Sequence, residues 1–158
     1  MFGRTRPRVE ARHGRYVLRL EAQERQLIRQ LLGELRELLA LGADDPRVRR
    51  LYPAAYAEDP EFEDEYRKLT REELQSGRLA SVAAVEESID ADALSPDDLT
   101  AWMQAVNSLR LILGTMLDIS DDDQELAFDP NDPNARTIAL YGYLGGLLDE
   151  IVTAQLDG

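Results

Sequence analysis

The pattern of apolar and polar residues near the N-terminus predicts a β-hairpin. In residues 15–20 a Tyr or Leu stands at every second position, which is the period-2 pattern of a half-buried strand. Residues 9–12 supply the partner strand. Between the two segments, Gly14 provides the positive φ that a tight turn requires, and His13 beside it is interpreted as an ordinary turn residue.

The next segment has the periodicity of an amphipathic helix. Apolar residues recur at i, i+3 or i+4 spacing, with Glu and Arg on the opposite side. The apolar stripe consists of Leu27, Ile28, Leu31, Leu32, Leu35, Leu38 and Leu39. Gly42 is well placed to follow the last turn, because glycine adopts the left-handed conformation at no steric cost. A helix is therefore predicted over residues 22–41.

Start signals divide the middle of the chain into shorter segments. Pro46 and Pro60 each follow an aspartate, and such a pair is typical of a helix N-terminus, with the acid as cap. The segment from Pro46 ends before Pro53, which disfavours helical geometry in the residue that precedes it. Thr70 opens a capping-box sequence, so a fresh helix is predicted from there towards Ile89.

Two long helices are predicted in the C-terminal half. The tetrapeptide SPDD at residues 95–98 combines an N-cap, a proline in the first turn and acids near the positive helix end. The helix that it starts runs to about residue 117, and an acidic loop over residues 118–134 precedes a last helix at about 135–156. The apolar face of the first of these helices consists of Leu99, Trp102, Met103, Val106, Leu109, Leu113, Met116 and Leu117.

These elements predict a mainly α protein, a compact helical bundle with a short N-terminal β-hairpin. Residues 1–158 are interpreted as a single domain, because no linker is long enough to separate two. Residues 1–20 form its basic arm and hairpin, and residues 21–158 form the helical bundle with the acidic loop 118–134.

The charge of the chain is negative overall, at −13, and unevenly distributed. Residues 1–20 hold six arginines against one acid, whereas residues 85–158 hold sixteen acids against two arginines. Acidic surfaces repel phosphate backbones, so nucleic acid is not expected as a partner of the whole molecule. The basic arm is interpreted as solvated. Contact with a phosphate, or with the protein's own acidic half, is the alternative.

Residues for catalysis and metal binding are scarce. The chain has no cysteine and one histidine, which excludes thiolate zinc sites, two-histidine metal sites and cysteine nucleophiles. The acidic run at residues 121–125 resembles a calcium loop, but Leu126 and Asp132 stand where an EF-hand requires Gly and Glu. The run is interpreted as solvated, with weak Mg²⁺ or Ca²⁺ association as the alternative. We therefore predict no enzymatic activity, no cofactor and no resident metal.

One charged residue falls among the apolar positions of the helix predicted over residues 96–117. At 100° per residue, Arg110 lies near the middle of the stripe, and a buried charge requires a partner. Asp149 flanks the apolar face of the last helix and can supply the carboxylate of a structural pair. The functional alternative is a groove in which Arg110 meets an acidic partner or ligand.

The sequence around Arg110 resembles a known family. Residues 101–119, AWMQAVNSLRLILGTMLDI, are similar to the signature of the actinobacterial DUF2017 family, whose members have no established activity. The segment YGYLGGLLDEIV resembles its C-terminal motif, and RRLYPAAY, residues 49–56, resembles its middle motif. The residues that carry the resemblance are the candidate site, as a groove or a structural pair: Trp102, Asn107, Arg110, Tyr141 and Asp149.

The resemblance implies a link to regulated proteolysis. Genes of this family commonly lie beside the gene of the ClpS adaptor, which delivers N-degron substrates to the Clp protease, and near genes for a JAMM-type metallopeptidase and sulfur carriers. Some members have been labelled transcriptional regulators. Two hypotheses follow: a non-enzymatic interaction or regulatory protein whose partner is ClpS or a Clp subunit, or a DNA-associated transcriptional regulator that uses the Arg-rich N-terminus.

The sequence also predicts a soluble, cytoplasmic protein without a membrane partner. No apolar run approaches the ~20 residues of a membrane-spanning helix, and the first residues lack the apolar core of a signal peptide. The apolar stripe of residues 27–39 fits a homodimer as well as a single intramolecular core, so the oligomeric state stays open.

Overall fold

Four α-helices and a small sheet make up the part of the chain that the computed structural model describes, residues 6–41, 45–51, 60–117 and 130–158. In chain order the elements are β1 Val9–Arg12, β2 Arg15–Leu18, α1 Ala22–Leu41, a 3-10 helix Pro46–Leu51, α2 Pro60–Ser88, β3 Ala93–Leu94, α3 Pro96–Met116 and α4 Ala135–Asp157. The predicted mainly α fold with an N-terminal hairpin is confirmed.

The hairpin closes through the predicted two-residue turn. His13 and Gly14 have φ values of 50° and 79°, and two successive positive φ values are the mark of a type I′ turn. The turn places Arg12 opposite Arg15. His13 is exposed, as expected of a turn residue. The second strand ends at Leu18, two residues earlier than the alternating pattern suggested.

A third strand, which the sequence did not predict, completes the sheet. β3 pairs antiparallel with β2, placing Leu94 opposite Tyr16, so the strand order is β1-β2-β3. Leu94 is fully buried beneath the sheet. Two residues are too few to show a period-2 pattern, and the start signal of α3 follows them at once.

The guanidinium of Arg25 in α1 joins the sheet to the end of α2. Its Nη1 donates to the carbonyl oxygens of Ile89 at 2.6 Å and Ala91 at 2.9 Å. Its Nε donates to Leu20 O at 3.0 Å, and its Nη2 to Leu18 O at 3.5 Å. Carbonyls at the end of a helix lack intrahelical partners, so one side chain satisfies groups from both elements.

Helix α2 is continuous from Pro60 to Ser88, so the prediction of a fresh helix at Thr70 is wrong. A capping box needs an N-cap residue outside the helix, and no proline after Pro60 forces such a break. Gly77 costs about 1 kcal/mol relative to Ala within a helix, but the same helix buries Val82 and Val85 completely. Tertiary packing outweighs the local signal.

Helix α3 lies at the centre of the fold and contacts the three other helices, the 3-10 helix and the sheet. Its predicted start is confirmed, because Ser95 Oγ accepts from Asp98 N at 3.1 Å and Asp98 Oδ2 accepts from Ser95 N at 3.5 Å. The predicted extents of α1, α3 and α4 agree with the structure to within a residue. Gly42 and the greater part of the acidic loop, residues 118–129, lie outside the described residues.

The 3-10 helix begins as the sequence predicted, with Asp45 as its cap. Asp45 Oδ1 accepts from the backbone N of Arg47 at 2.9 Å, and Asp45 Oδ2 accepts from Arg47 Nη2 at 2.7 Å. Two side chains of α2 bond the C-terminal ends of neighbouring helices. Gln75 Nε2 donates to Leu39 O in the last turn of α1, and Arg78 Nη2 donates to Leu51 O at the end of the 3-10 helix.

The cap makes a pH-dependent contribution that can be measured. Hydrogen bonds from the Arg47 side chain, and then from its backbone, lower the pKa of Asp45 from 3.8 to about 2. Because the folded-state pKa is lower, this contribution to stability is complete above the unfolded-state pKa and is lost as the pH falls through 2. In a carboxyl NMR titration, Arg47→Ala raises the pKa of Asp45 towards 3.8.

Arg29→Ala is the matched control for this titration, because Arg29 pairs with Asp90, at 2.9 Å, and not with Asp45. It leaves the Asp45 titration unchanged. An Asp45 carboxyl that already titrates near its ordinary pKa in the native chain would contradict the cap.

Candidate interaction site

An apolar groove opens between α1, α3 and α4 on one side of the bundle. Its volume is about 430 Å³. The floor is formed by buried side chains, among them Leu35, Leu109 and Ile112. At the edge, Leu41 is 65% exposed and Met116 is 53% exposed, so two large apolar side chains face water there.

The groove arises from the ends of two helical stripes. In α1, Leu31, Leu35 and Leu38 follow one another at i, i+4 and i+7 and line the same side. From α3, Ile112 and Met116 line the opposing side at i and i+4 spacing. The sequence placed these residues, except Ile112, on apolar stripes, but a stripe alone does not show which of its residues another helix covers.

The rim of the groove is acidic. Glu34 and Glu37 line it from α1 and are exposed, and within the described ranges neither carboxylate forms an ion pair. Arg47 also lines the groove, but its guanidinium is held by Asp45. The charge that remains available at this rim is therefore negative.

Trp102, one of the five residues predicted as a candidate site, belongs to the core. Its side chain is fully buried, and its Nε1 donates to Ser88 Oγ at 2.8 Å. Ser88 Oγ donates in turn to Ala84 O at 2.8 Å. The indole thus ties α3 to the last turn of α2. Asn107 is half-buried on α3.

Arg110 and Tyr141 are two candidates that the structure brings together. Arg110 Cζ lies 5.3 Å from the centre of the Tyr141 ring, which is within the ~6 Å range of a cation–π contact. Gly145 is one turn further along α4, and a Cβ there would lie 3.9 Å from Arg110 Nε. The half-buried Arg110 therefore rests on the face of α4.

The predicted pair of Arg110 with Asp149 does not form. Asp149 is exposed, and the ion pairs among the described residues do not include Arg110. A half-buried guanidinium keeps part of its hydration, so the desolvation that would require a buried carboxylate is incomplete. Arg110 contacts the Tyr141 ring instead of the Asp149 carboxylate.

A polar cluster around Arg8, which sequence reasoning missed, connects the first strand with α1 and α4. Arg8 Nε donates to Glu24 Oε1 and Arg8 Nη1 donates to Glu150 Oε2, each at 2.7 Å. The Arg8 guanidinium also lies 5.4 Å from the centre of the Tyr143 ring, and Tyr143 Oη donates to Glu24 Oε1 at 3.1 Å.

The Arg8 cluster has a structural role. Partial burial by itself lowers the pKa of Arg8, but its hydrogen bonds to Glu24 and Glu150 outweigh that effect and raise the pKa above its usual range. The guanidinium therefore stays charged at every accessible pH. Contact between the basic arm and the acidic half was one of the alternatives that the charge distribution left open, and Arg8–Glu150 is such a contact.

Within the described ranges, no three His, Asp or Glu side chains converge in a way that would hold a metal ion. The acidic run at 121–125 lies outside those ranges. None of the described helices is long and apolar enough to cross a bilayer.

Comparison with known proteins identifies a family. A family model described as Domain of unknown function (DUF2017) matches residues 5–155. No curated protein and no solved structure matches the chain.

We expect the Arg110–Tyr141 contact to contribute measurably to stability. Tyr141→Leu lowers the free energy of unfolding by about 0.5–1 kcal/mol, the size of a partly exposed cation–π contact, whereas Tyr141→Phe keeps most of it. Urea denaturation in the native and Arg110→Met backgrounds measures the coupling. Equal losses in the two backgrounds would show that the ring acts independently of Arg110.

The Arg8 cluster is expected to contribute more. Arg8→Ala removes the cation that bonds two partly buried carboxylates, Glu24 and Glu150, and lowers the free energy of unfolding by about 2 kcal/mol. Arg15→Ala, an exposed arginine in the same hairpin, is the control and changes it by less than about 0.5 kcal/mol. Equal effects of the two substitutions in thermal or urea unfolding would contradict the assignment.

Proposed function

We propose that this chain, which belongs to the DUF2017 family, is a non-enzymatic protein-interaction protein that uses the groove between α1, α3 and α4. The single observation that carries this proposal is the groove itself. Exposed apolar patches with polar rims are typical of protein–protein interaction sites, and Leu41 and Met116 are large apolar side chains that face water at its edge.

The composition of the chain supports an interaction role over an enzymatic one. General acid–base, nucleophilic and zinc-dependent catalysis draw mainly on His, Cys and clustered carboxylates. The chain has one histidine and no cysteine. The histidine, His13, is exposed in the hairpin turn.

The candidate partners are ClpS and the subunits of the Clp protease, and the proposed place of action is the cytoplasm. Genes of the family commonly lie beside the gene of ClpS. A partner that docks on the groove would modulate the delivery of substrates to the protease without itself changing a covalent bond.

The alternative, a DNA-associated regulator that uses the Arg-rich N-terminus, has less support. Arg8 is bound by Glu24 and Glu150. Arg19 is bound by Glu10 at 2.7 Å, which also lowers the pKa of that carboxyl. Arginines already held by carboxylates gain little from a phosphate, because the internal ion pair must first be broken. Arg4 lies outside the described residues.

The test is a direct binding measurement with purified full-length chain and the ClpS encoded in the same genome. By titration calorimetry we expect saturable one-to-one binding. Leu41→Asp weakens it at least tenfold, because a charge replaces an exposed apolar side chain that binding would bury.

The matched control is Leu69→Asp on α2, at a leucine that is 60% exposed and not among the residues of the groove. It leaves the affinity within about twofold of the native value. If neither ClpS nor any Clp subunit binds the native chain, the proposed partners are wrong. If the two substitutions weaken binding equally, the groove is not the site.

A further inference from the structure

We propose that the groove accepts a basic amphipathic helix of the partner, with Glu34 and Glu37 contacting its lysine or arginine side chains. This inference rests on the proposed function, because it specifies the chemistry of the partner at the same groove.

The length and lining of the groove fit a short helix. On α1 the groove extends from Leu31 to Leu41, which at 1.5 Å per residue is about 15 Å, or close to three helical turns. Leucine side chains of α1 and α3 line both sides along this length. An amphipathic helix laid in such a groove contacts it through apolar residues at i, i+3, i+4 and i+7.

The charge of the rim selects among such helices. Glu34 and Glu37 lie on the solvent side of the leucine row, within reach of polar residues that flank the apolar face of a bound helix. Two arginines near these glutamates are paired with other carboxylates: Arg47 with Asp45, and Arg36 with Glu86. Lysine and arginine lay their aliphatic stems on apolar surface and keep the charge at the edge, so they complement leucine walls with a carboxylate rim.

The same charge argues against two occupants from this chain, a second copy and the segment 118–129. A second copy carries a net charge of −13, so its approach to the acidic rim is opposed by long-range repulsion. The segment 118–129 carries six acids and no basic residue. Both would place negative charge against Glu34 and Glu37.

The probe for the experiment is a fluorescein-labelled 14-residue peptide made of leucine and lysine, with the leucines at helical a and d spacing. A second peptide has glutamate in place of every lysine, and a third has the composition of the first in scrambled order. Fluorescence anisotropy is measured with the full-length chain at low and moderate salt. We expect saturable binding of the first peptide alone, weakening with salt.

Two pairs of variants separate rim charge from apolar contact. Glu34→Gln with Glu37→Gln weakens binding of the basic peptide about fivefold, and the control Glu72→Gln with Glu73→Gln, exposed on α2, changes it less than twofold although the net charge is the same. Met116→Asp abolishes saturable binding, whereas Leu156→Asp, at a leucine that is 82% exposed outside the groove, does not.

The remaining outcomes overturn the inference. These are equal binding of the basic and glutamate peptides, equal effects of the two glutamine pairs, and no saturable binding at all. Concentration-dependent dimerisation lost in Met116→Asp would identify a second copy as the occupant. Binding that appears only after Leu126→Ser with Phe128→Ser would identify segment 118–129. If Leu41→Asp abolishes ClpS binding while the glutamine pairs act alike, the proposed function stands and this inference fails.

Discussion

The hydrogen bonds of one side chain, Arg25, join the sheet to the end of α2. Its guanidinium donates hydrogen bonds to carbonyl oxygens at the end of β2 and to carbonyl oxygens just after α2. These two segments are more than 60 residues apart in sequence. Backbone carbonyls at the ends of elements are costly to leave unpaired once they are buried. By satisfying both sets, Arg25 holds the end of α2 beside β2. The two residues of β3 then fall at the sheet edge, and α3 begins directly after them at Ser95.

The groove is a consequence of how the helices surround α3. Helices α2 and α4 pack along α3 extensively, whereas α1 contacts it over a shorter length. Among the described elements, none packs fully against the apolar side of the C-terminal part of α1, and Leu38 and Leu41 remain partly or largely uncovered. The groove on which the proposed function rests arises where these elements leave the core incomplete.

Local signals predicted most of the helices because helix periodicity and capping depend on residues that are close in sequence. The stripe of α1, the Ser95 cap and the Asp45 cap are of this kind. Features that depend on distant residues were not predicted: β3 needs β2 beside it, and Arg8 needs Glu150. The continuity of α2 through Thr70 was also not predicted. Of the candidate site, Arg110 and Tyr141 were named as members of two separate motifs but not as a contact. Asp149 was expected to pair with Arg110, which contacts the Tyr141 ring instead. The groove could not be predicted, because an apolar stripe does not show which of its residues the other helices leave uncovered.

The bond between Arg8 and Glu150 spans a sequence separation of 142 residues, which has a consequence during synthesis. At 5–20 residues per second, the hairpin leaves the ribosome on the order of ten seconds before its partner on α4 exists. During that interval β1 and the Arg8 guanidinium lack the helix that later packs against them. The nascent chain is therefore a better substrate for chaperones and proteases than the finished one, and its stability against them is acquired only when its last helix arrives.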